Sequence, residues 1–590
     1  MNEQAANAKT VTRLLFRLLP VQILLASVNS VNGIVSSYFA SNYVGVEAMS
    51  AVGLYSPIGM LITSVNAILV GGSVILSGEY MGKNQRDKLQ GVFSLNLTVT
   101  SLIAAIFTLI LLTAGLFDLT GFLTEDRVVR QLLDRYLIGQ AVGVLPLMLG
   151  GSFSSFLSLE NRGKRTLTAS IVYIAVNVLL NLLFVGLLHL EALGLALASS
   201  LGLWVFLGVQ IQYYLSGRSF LRVRTGALVW RECGEIFRIG VPGALSNLYQ
   251  TARGLIVNRL LVVYVGSMGI SAFAAANNLL TVVWSIPIGM LAVSRMLISV
   301  SVGEEDRQTL ADVMRVMFLR FLPLQGLVSA CIILCSVPLT RIFFRDPSEP
   351  VYMMTVWGLR ILPLCMPLSI IYMHFVCYGQ ASGKHALVHL LSFLDGVGCV
   401  AGFTALLIRS LGVNSVYIAN VLNGVVTTLV IIAYAWMKKK RLPRNMDELM
   451  VIPDDFGAPP SERMDLSVRS TEEVVRVAEQ VQRFCLERGV DSRRAYLAGL
   501  SMEEMAGNIV DHGFTKDRKP HSVDVRVVHK GDDVILRIKD DCVPFDPVER
   551  QKLAEGGEIG KNIGIRLVFK IARALQYQNI LGLNVLTIRI

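Results

Sequence analysis

Residues 48–77 read AMSAVGLYSPIGMLITSVNAILVGGSVILS and contain no Asp, Glu, Lys or Arg. A helix rises about 1.5 Å per residue, so about 20 apolar residues cross the roughly 30 Å hydrocarbon core of a bilayer. This uncharged stretch is long enough to do so, and it is therefore predicted to form a membrane-spanning helix.

The same pattern recurs throughout residues 13–437. It predicts an all-α polytopic bundle of twelve transmembrane helices, and hence a multi-pass protein whose first partner is the lipid bilayer. The predicted spans are residues 15–41, 48–77, 90–115, 132–157, 167–189, 192–215, 236–265, 270–300, 313–336, 355–378, 386–408 and 415–437.

The composition changes near residue 446. Residues 446–590 contain 24 acidic and 21 basic residues, as a soluble domain would, whereas only 52 of the first 445 residues are charged. A single soluble enzyme and a disordered chain are therefore excluded. The net charge of +11 arises entirely from the apolar part, so no nucleic-acid partner is predicted. The expected division is a membrane domain at 1–440, a linker at 441–466 and a second domain at 467–590.

Basic residues are unevenly distributed among the segments that connect the predicted spans. One alternate set carries most of them, and the other set is short and carries few. Since Lys and Arg are retained on the cytoplasmic side, both termini are predicted to be cytoplasmic and the protein to lie in the plasma membrane. The basic set comprises Lys83, Arg86, Lys88, Arg162, Lys164, Arg165, Arg218, Arg222, Arg224, Arg231, Arg307, Lys384 and Lys438–Arg441.

An internal repeat with an offset near 220 residues relates residues 13–216 to residues 234–437. Tyr43-Val44-Gly45 recurs as Tyr264-Val265-Gly266. Pro57-Ile58-Gly59-Met60-Leu61 recurs as Pro287-Ile288-Gly289-Met290-Leu291, with an offset of about 230 that is assigned to one loop. Two six-helix lobes of the same topology are expected, with a substrate path between them, which is a transporter architecture.

Several motifs together resemble the multidrug and toxic compound extrusion (MATE) family, over about residues 10–440. The resemblance implies a cation-coupled antiporter that exports organic, often cationic, drug-like compounds by rocking one lobe against the other. The motifs are Pro20, Tyr43-Val44-Gly45-Val46-Glu47-Ala48, Gly71-Gly72-Ser73, Ser77-Gly78-Glu79-Tyr80-Met81-Gly82-Lys83-Asn84, Pro146, Glu160-Asn161-Arg162-Gly163-Lys164, Asn177 and Asn181.

Four carboxamides lie within predicted spans of the first half of the membrane domain. Asn29 and Asn32 belong to the first span, and Asn177 and Asn181 are one helical turn apart in the fifth. Polar groups inside hydrocarbon are costly. These side chains are therefore expected either to line a substrate cavity or to hydrogen-bond neighbouring helices.

Asp395 is the only acid well inside a predicted span. It is expected either to carry the coupling ion or to pair with an intramembrane arginine, for which Arg253, Arg295 and Arg360 are the candidates. Many MATE relatives carry an acid in the second half of the first span, where this chain has Ser36. Our hypothesis is export coupled to H⁺ or Na⁺ through a site that includes Asp395.

The pattern of residues 467–590 predicts a two-layer α+β sandwich. Glu504, Asn508 and His512 recur every four residues and so share one face of a predicted helix. A carboxylate, a carboxamide and an imidazole in a row can position Mg²⁺ and a water or hydroxyl beside a phosphate. This helix face is therefore a candidate nucleotide site.

Two further motifs follow the helix in sequence. Asp540 ends a predicted strand, where a carboxylate can accept the amino group of adenine. Gly560 and Gly564 belong to a glycine-rich loop that runs into a predicted helix, and such a loop presents backbone N–H groups to phosphates. These motifs add an adenine acceptor and a phosphate loop to the candidate site.

Taken in order, the three motifs resemble the histidine-kinase-like (Bergerat) ATPase fold, and within it the anti-sigma-factor serine kinases. The resemblance implies ATP and Mg²⁺ as cofactors, and His512 is expected to help bind them. By it, Glu504 matches the catalytic base, Asn508 the Mg²⁺ ligand, Asp540 the adenine acceptor, and Gly560 with Gly564 the nucleotide lid. No Walker A loop is complete, so ATP is expected to regulate transport rather than drive it.

Two alternatives to a regulated exporter remain open on the sequence. One is a membrane-anchored serine kinase whose partner resembles a STAS-like anti-anti-sigma protein. The other is a MATE-like flippase for lipid-linked precursors, whose anionic substrates would need a cationic cleft.

Overall fold

The helices of the first 440 residues are long, and a small sheet follows them. The computed structural model describes residues 12–27, 39, 43–44, 46–83, 85–122, 127–217, 219–223, 230–341, 344, 346–515, 521–544, 563–580 and 582–590. Its helices before residue 440 are α1 (12–27), α2 (Val46–Gly82), α3 (Arg86–Leu116), α4 (Arg127–Leu159), α5 (Gly163–Asn181), α6 (Glu191–Leu215), α7 (Arg231–Tyr264), α8 (Ser267–Gly303), α9 (Arg307–Val316), α10 (Leu322–Leu334), α11 (Ser336–Thr340), α12 (Pro350–Ile361), α13 (Cys365–Ala381), α14 (His385–Phe393), α15 (Cys399–Leu411) and α16 (Asn414–Lys439).

Ten helical segments in the described part of the chain are long and apolar enough to cross a membrane. They coincide with ten of the twelve predicted spans. Of the other two, the predicted span 15–41 lies partly outside the described residues. The predicted span 236–265 falls in α7, which carries six Arg and Glu residues and is for that reason less apolar.

The internal repeat is visible in the helix lengths, and it corrects one detail of the sequence alignment. α2 and α8 both contain 37 residues, and both of their ends are offset by 221 positions. Pro57 and Pro287 lie inside these uninterrupted helices, so they do not occupy equivalent positions. The assignment of their larger offset to a loop is wrong, because both pentapeptides lie within continuous helices.

The two halves of the bundle approach most closely where glycines face a neighbouring backbone. A Cβ atom on Gly240 of α7 would overlap the carbonyl oxygen of Ile68 on α2, and one on Gly72 of α2 would overlap that of Ile236 on α7. Gly303 at the end of α8 meets the carbonyl oxygen of Glu79 in the same way. Small residues let transmembrane helices pack backbone to backbone, so these contacts hold the halves together.

We expect Gly240→Ala to destabilise this arrangement by about 1–3 kcal/mol, because the new methyl group forces α2 and α7 apart. The measurement is the apparent melting temperature of the detergent-solubilised protein. Gly254→Ala on the same helix is the matched control, since a Cβ there meets no heavy atom within 4 Å. A drop in melting temperature no larger than that of the control would contradict the packing argument.

The second domain is built on an antiparallel sheet of five strands in the order β1-β2-β3-β5-β4. Valine and isoleucine alternate with polar residues along β2 and β3, which gives the sheet one apolar face. That face packs against three helices, whose buried residues form one hydrophobic cluster with those of the strands. The elements are α17 (Met446–Met450), β1 (Arg463–Val468), α18 (Thr471–Glu487), α19 (Ser492–Asn508), β2 (Val523–Lys530), β3 (Asp533–Asp540), α20 (Ile563–Ile571), β4 (Ala574–Ile580) and β5 (Leu583–Arg589).

The predicted linker is packed against the membrane domain. Asn445 caps α17 by accepting a hydrogen bond from the backbone N–H of Glu448. Met450 and Ile452 are both 1% exposed and join the same hydrophobic cluster as residues of the membrane helices. The Nζ of Lys384 donates hydrogen bonds to the carbonyl oxygens of Met450 (2.9 Å) and Val451 (2.8 Å). This segment therefore fixes where the second domain begins.

Candidate functional site

The helix face predicted to bind nucleotide is present on α19. Glu504 and Asn508 are both half-buried and one turn apart. The Nδ2 of Asn508 donates to the carbonyl oxygen of Glu504 at 2.6 Å, so the carboxamide oxygen is the end that remains to act as a ligand. A π-helical turn, Ile509–Gly513, continues α19, and His512 in this turn is exposed. His512 follows Asn508 by four residues, which is slightly less than one turn of a π-helix. His512 therefore lies near the helix face that carries Glu504 and Asn508.

Asp540 is buried at the end of β3 and held in one orientation. Its Oδ1 accepts hydrogen bonds from the Nδ2 of Asn584 (2.8 Å) and from the backbone N–H of Cys542 (2.9 Å). Burial raises the pKa of Asp540, and these two bonds partly offset the rise. A buried carboxylate fixed in this way suits recognition of an amino group.

Sequence reasoning missed Asn584, which orients Asp540. It is buried on β5, directly opposite Asp540 in the strand pairing. The hydroxyl of Tyr577 and the Nδ2 of Asn579 both donate to its Oδ1, at 2.8 and 2.9 Å. In the sequence, Asn584 is only a single amide at the start of the apolar run LNVLTI. Its position opposite Asp540 can be recognised only once the pairing of β3 with β5 is known.

The described side chains fit ATP with Mg²⁺. The donor set of Glu504, Asn508 and Asp540 supplies carboxylate and carboxamide oxygens, which are the ligands that Mg²⁺ and an adenine amino group take. Gly564 lies in the first turn of α20, where backbone N–H groups favour phosphate. Gly560 and the rest of its loop lie outside the described residues.

An acidic loop of the membrane domain touches this domain from the opposite face of the sheet. It consists of Glu304, Glu305 and Asp306 and joins α8 to α9. Glu304 and Asp306 are buried, and strand residues that point away from α18 and α19 surround them. We call these residues the basic sheet face; they are Arg526 on β2, and Arg537 and Lys539 on β3.

The acidic loop and the basic sheet face form a connected ion-pair network. The Nζ of Lys539 lies 2.7 Å from Glu304 Oε2 and 3.5 Å from Asp306 Oδ2. The guanidinium of Arg526 pairs with Asp306 and also with Asp465 on β1. Buried charges are costly unless each is paired, and here every buried acid of the loop has a basic partner on the sheet.

Asp306 is the central residue of the network. It also caps α9, because its Oδ1 accepts the backbone N–H of Thr309 at 2.9 Å. Burial alone would raise the pKa of Asp306, but Arg526 and Lys539 hold it well below its usual range. Its contribution to stability is therefore complete above the ordinary pKa of an aspartate and is lost only as the pH falls through the lowered value.

A second link runs from the candidate nucleotide site to α1. Asp541, the neighbour of the adenine-acceptor candidate, lies 3.2 Å from the Nη1 of Arg13 on α1. Its other carboxylate oxygen lies 2.8 Å from the Nδ1 of His521. Asp541 therefore connects the end of β3 to α1.

Asp395 is buried in a π-helical turn, Leu394–Gly398, between α14 and α15. Its Oδ1 accepts a hydrogen bond from the Nδ2 of Asn423 at 2.8 Å, and the side chain of Tyr372 also bonds to it. Of the three arginines considered, Arg253 comes nearest, but its Nη1 donates to the carbonyl oxygen of Asp395, at 3.3 Å. π-Helical turns are frequent at functional sites, which is consistent with a role for this carboxyl group.

The two carboxamides of α5 bond to each other, and one of them also bonds to α6. The Nδ2 of Asn181 donates to Asn177 Oδ1 at 2.6 Å, and the Nδ2 of Asn177 donates to Ser199 Oγ on α6 at 3.3 Å. The bond to Ser199 favours the packing alternative for Asn177, whereas the bond of Asn181 stays within α5. A role of either residue in transport stays a prediction. The other candidates of the first half, Asn29, Asn32 and Ser36, lie outside the described residues.

A cavity of about 400 Å³ lies within the first half of the bundle. Helices α1, α2, α4, α5 and α6 form most of its wall, and α8 of the second half closes it. It reaches Ser158 and Thr166, beside the loop 160–162 that touches the β4–β5 turn of the second domain. Its volume suits a small organic molecule.

Comparison with known sequences agrees with this architecture. The profile of the MatE family matches residues 23–183 and 242–397, which is more than half of the chain. The profile named histidine kinase-like ATPase domain matches residues 468–590, and a domain of this kind implies ATP binding.

Two individual relatives have low sequence identity to this chain but match it over more than half of its length. The probable multidrug resistance protein NorM of Halalkalibacterium halodurans is 23% identical over 340 residues, which are 56% of this chain and 72% of that protein. The probable multidrug resistance protein YoeA of Bacillus subtilis is 24% identical over 363 residues, 57% of this chain and 76% of that protein.

Solved structures show the same fold. A multidrug resistance MATE family transporter in an outward-facing conformation superimposes with a TM-score of 0.68 and 18% identity, covering 75% of this chain and 97% of that chain. The chain therefore belongs to the MatE family and carries a histidine kinase-like ATPase domain at residues 468–590.

Proposed function

We propose that this protein is a secondary active antiporter that exports drug-like organic compounds, is driven by a gradient of H⁺ or Na⁺, and is regulated by ATP bound to its second domain. The names of its relatives, the fold and the internal cavity support export. Asp395 is the proposed coupling residue, because it is a buried acid held by neutral hydrogen-bond partners.

The proposed architecture has twelve spans in two six-helix lobes, with both termini in the cytoplasm. The transporter domain is residues 1–440, the linker 441–466 and the ATP-binding domain 467–590. Ten apolar segments, and helices α2 and α8 of equal length, support this arrangement. The basic connecting segments support the cytoplasmic assignment.

In the ATP-binding domain we propose Glu504 as catalytic base, Asn508 as Mg²⁺ ligand, Asp540 as adenine acceptor, and Gly560 and Gly564 as the lid, with His512 beside them. When bound, ATP with Mg²⁺ would add charge and fill space beside Asp540 at the end of β3. The STAS-like partner, the serine kinase and the flippase for lipid-linked precursors stay predictions of the sequence.

One observation carries the proposal of regulation: the acidic loop between α8 and α9 is buried against the sheet that ends in Asp540. Asp540 and Lys539 are consecutive residues of β3, with side chains on opposite faces. A nucleotide on one face thus acts on a strand whose other face holds the ends of two membrane helices. This geometry is suited to regulation of transport within a single chain.

We expect Asp306→Asn to uncouple transport from ATP. The substitution keeps the shape of the side chain but removes the charge that Arg526 and Lys539 share, and breaking such a buried pair costs about 3–5 kcal/mol. The measurement is efflux of fluorescent organic compounds from proteoliposomes under an imposed gradient, with and without Mg²⁺–ATP. The unmodified protein should change rate with ATP, and the variant should not.

Glu305→Gln is the matched control, since its pair with Lys530 is solvent-exposed and worth at most about 1 kcal/mol. An ATP response that persists in Asp306→Asn would refute regulation through this contact. Absence of flux for every compound under both gradients would refute export itself.

A further inference from the structure

The 400 Å³ cavity is lined by a positive charge and by no negative one. Among the residues that line it, Arg295 is the only charged one, and none is an Asp or Glu. The described lining of the cavity is therefore electropositive.

Arg295 lies deep in the bundle. It is on α8, eight residues before the helix ends at Gly303, which is about 12 Å along the helix axis. In the described part of the chain no ion pair joins it to a carboxylate, and its buried Nε–H has no hydrogen-bond partner. The thiol of Cys377 is the neighbour that contacts it. An unpaired guanidinium at this depth is costly, so a ligand that carries the counter-charge would stabilise it.

The rest of the lining is complementary to a small amphiphile. Asn66, Ser155 and Thr166 offer neutral polar groups, and the Oδ1 of Asn66 is buried without a hydrogen-bond partner. Tyr173 and Phe206 supply aromatic surface. Arginine presents a planar set of N–H donors that matches the oxygens of carboxylate, sulfonate and phosphate groups.

We infer that this cavity binds organic anions, compounds that join carboxylate, sulfonate or phosphate groups to an aromatic or aliphatic body, with Arg295 as the residue that selects the charge. The inference rests on the proposed export function and names its substrate class. It departs from the cationic substrates that the family resemblance implies, because a cation in this cavity would meet Arg295 and no acid.

The test compares matched dyes of opposite charge on the full chain. Binding of carboxyfluorescein and of ethidium to the solubilised protein is measured by fluorescence polarisation, and transport of both by proteoliposome assays. We expect carboxyfluorescein to bind, Arg295→Gln to weaken its binding about tenfold to a hundredfold, and Arg295→Lys to restore part of it. Arg360→Gln is the matched control, since Arg360 bonds Ser336 and lies against Trp357 rather than in the cavity.

The anionic group can belong to a soluble compound or to a lipid, and a second assay distinguishes them. A fluorescent polyprenyl phosphate in the vesicle membrane reports movement of a lipid-linked anion. Arg295-dependent movement of this lipid without carboxyfluorescein transport would support the anionic site and assign it to a lipid source.

The outcomes separate the inference from the proposed function. Transport of ethidium with no Arg295-dependent binding of either anion would overturn the inference and leave export standing. Anion binding that requires Arg295, with no gradient-driven flux of any probe, would support the inference and refute export. Equal anion binding by the unmodified protein and Arg295→Gln overturns the inference in every case.

Discussion

Replacing Asp395 with Asn is expected to abolish gradient-driven transport, lowering the initial rate at least tenfold, to that of liposomes without protein. The carboxamide cannot take up or release a proton and carries no charge to attract Na⁺. Its shape is nearly that of the carboxyl group, so it can still accept the hydrogen bond from Asn423. The fold should therefore survive while coupling is lost.

The measurement is the initial rate under a pH gradient and, separately, under a Na⁺ gradient. Asp312→Asn is the matched control, because Asp312 is also a buried helical acid but pairs with Arg315 near the second domain. Asp395→Glu should keep part of the activity. A variant Asp395→Asn that transports at the unmodified rate with the same gradient dependence would exclude this residue from coupling.

Replacing Asn508 with Ala is expected to weaken binding of Mg²⁺–ATP to the full chain by about a hundredfold. A ligand that contacts a metal or a charged group contributes about 1.5–3 kcal/mol, and alanine offers no oxygen in its place. The stability of α19 should not fall, since alanine has the highest helix propensity and the lost hydrogen bond to Glu504 lies within the same helix. Asn508→Ala should therefore weaken Mg²⁺–ATP binding without unfolding the domain.

Nucleotide affinity is measured on the solubilised full-length protein with a fluorescent ATP analogue, with and without Mg²⁺. Gln480→Ala on α18 is the matched control, a half-buried carboxamide on the neighbouring helix. If Asn508→Ala binds the analogue as tightly as the control does, Asn508 is not a ligand. The gradient-driven transport of this variant should continue but no longer respond to ATP.

Local features of the fold were predictable because they depend on short stretches of sequence. The length of an apolar run decides whether a helix can cross a bilayer, and the alternation in β2 and β3 decides which face of a strand is buried. Strand β1 was not predicted, because most of Arg463–Val468 falls within the predicted linker. Met464, Leu466 and Val468 do alternate with polar residues there, and the strand is completed by pairing with β2. The misaligned Pro57 and Pro287 show that a repeated pentapeptide alone does not establish structural equivalence.

The sequence by itself determined a long apolar bundle, a charged second domain, and the row of Glu504, Asn508 and His512. Only the tertiary structure decided what the remaining charges do. Glu304 and Lys539 are 235 residues apart in sequence, yet they form one ion pair. Arg295 could equally have neutralised Asp395, and the packing of α8 against the first half instead places it in a cavity without acids. The reason is physical: periodicity acts over a few residues, whereas the partner of a buried charge is set by which distant elements pack together.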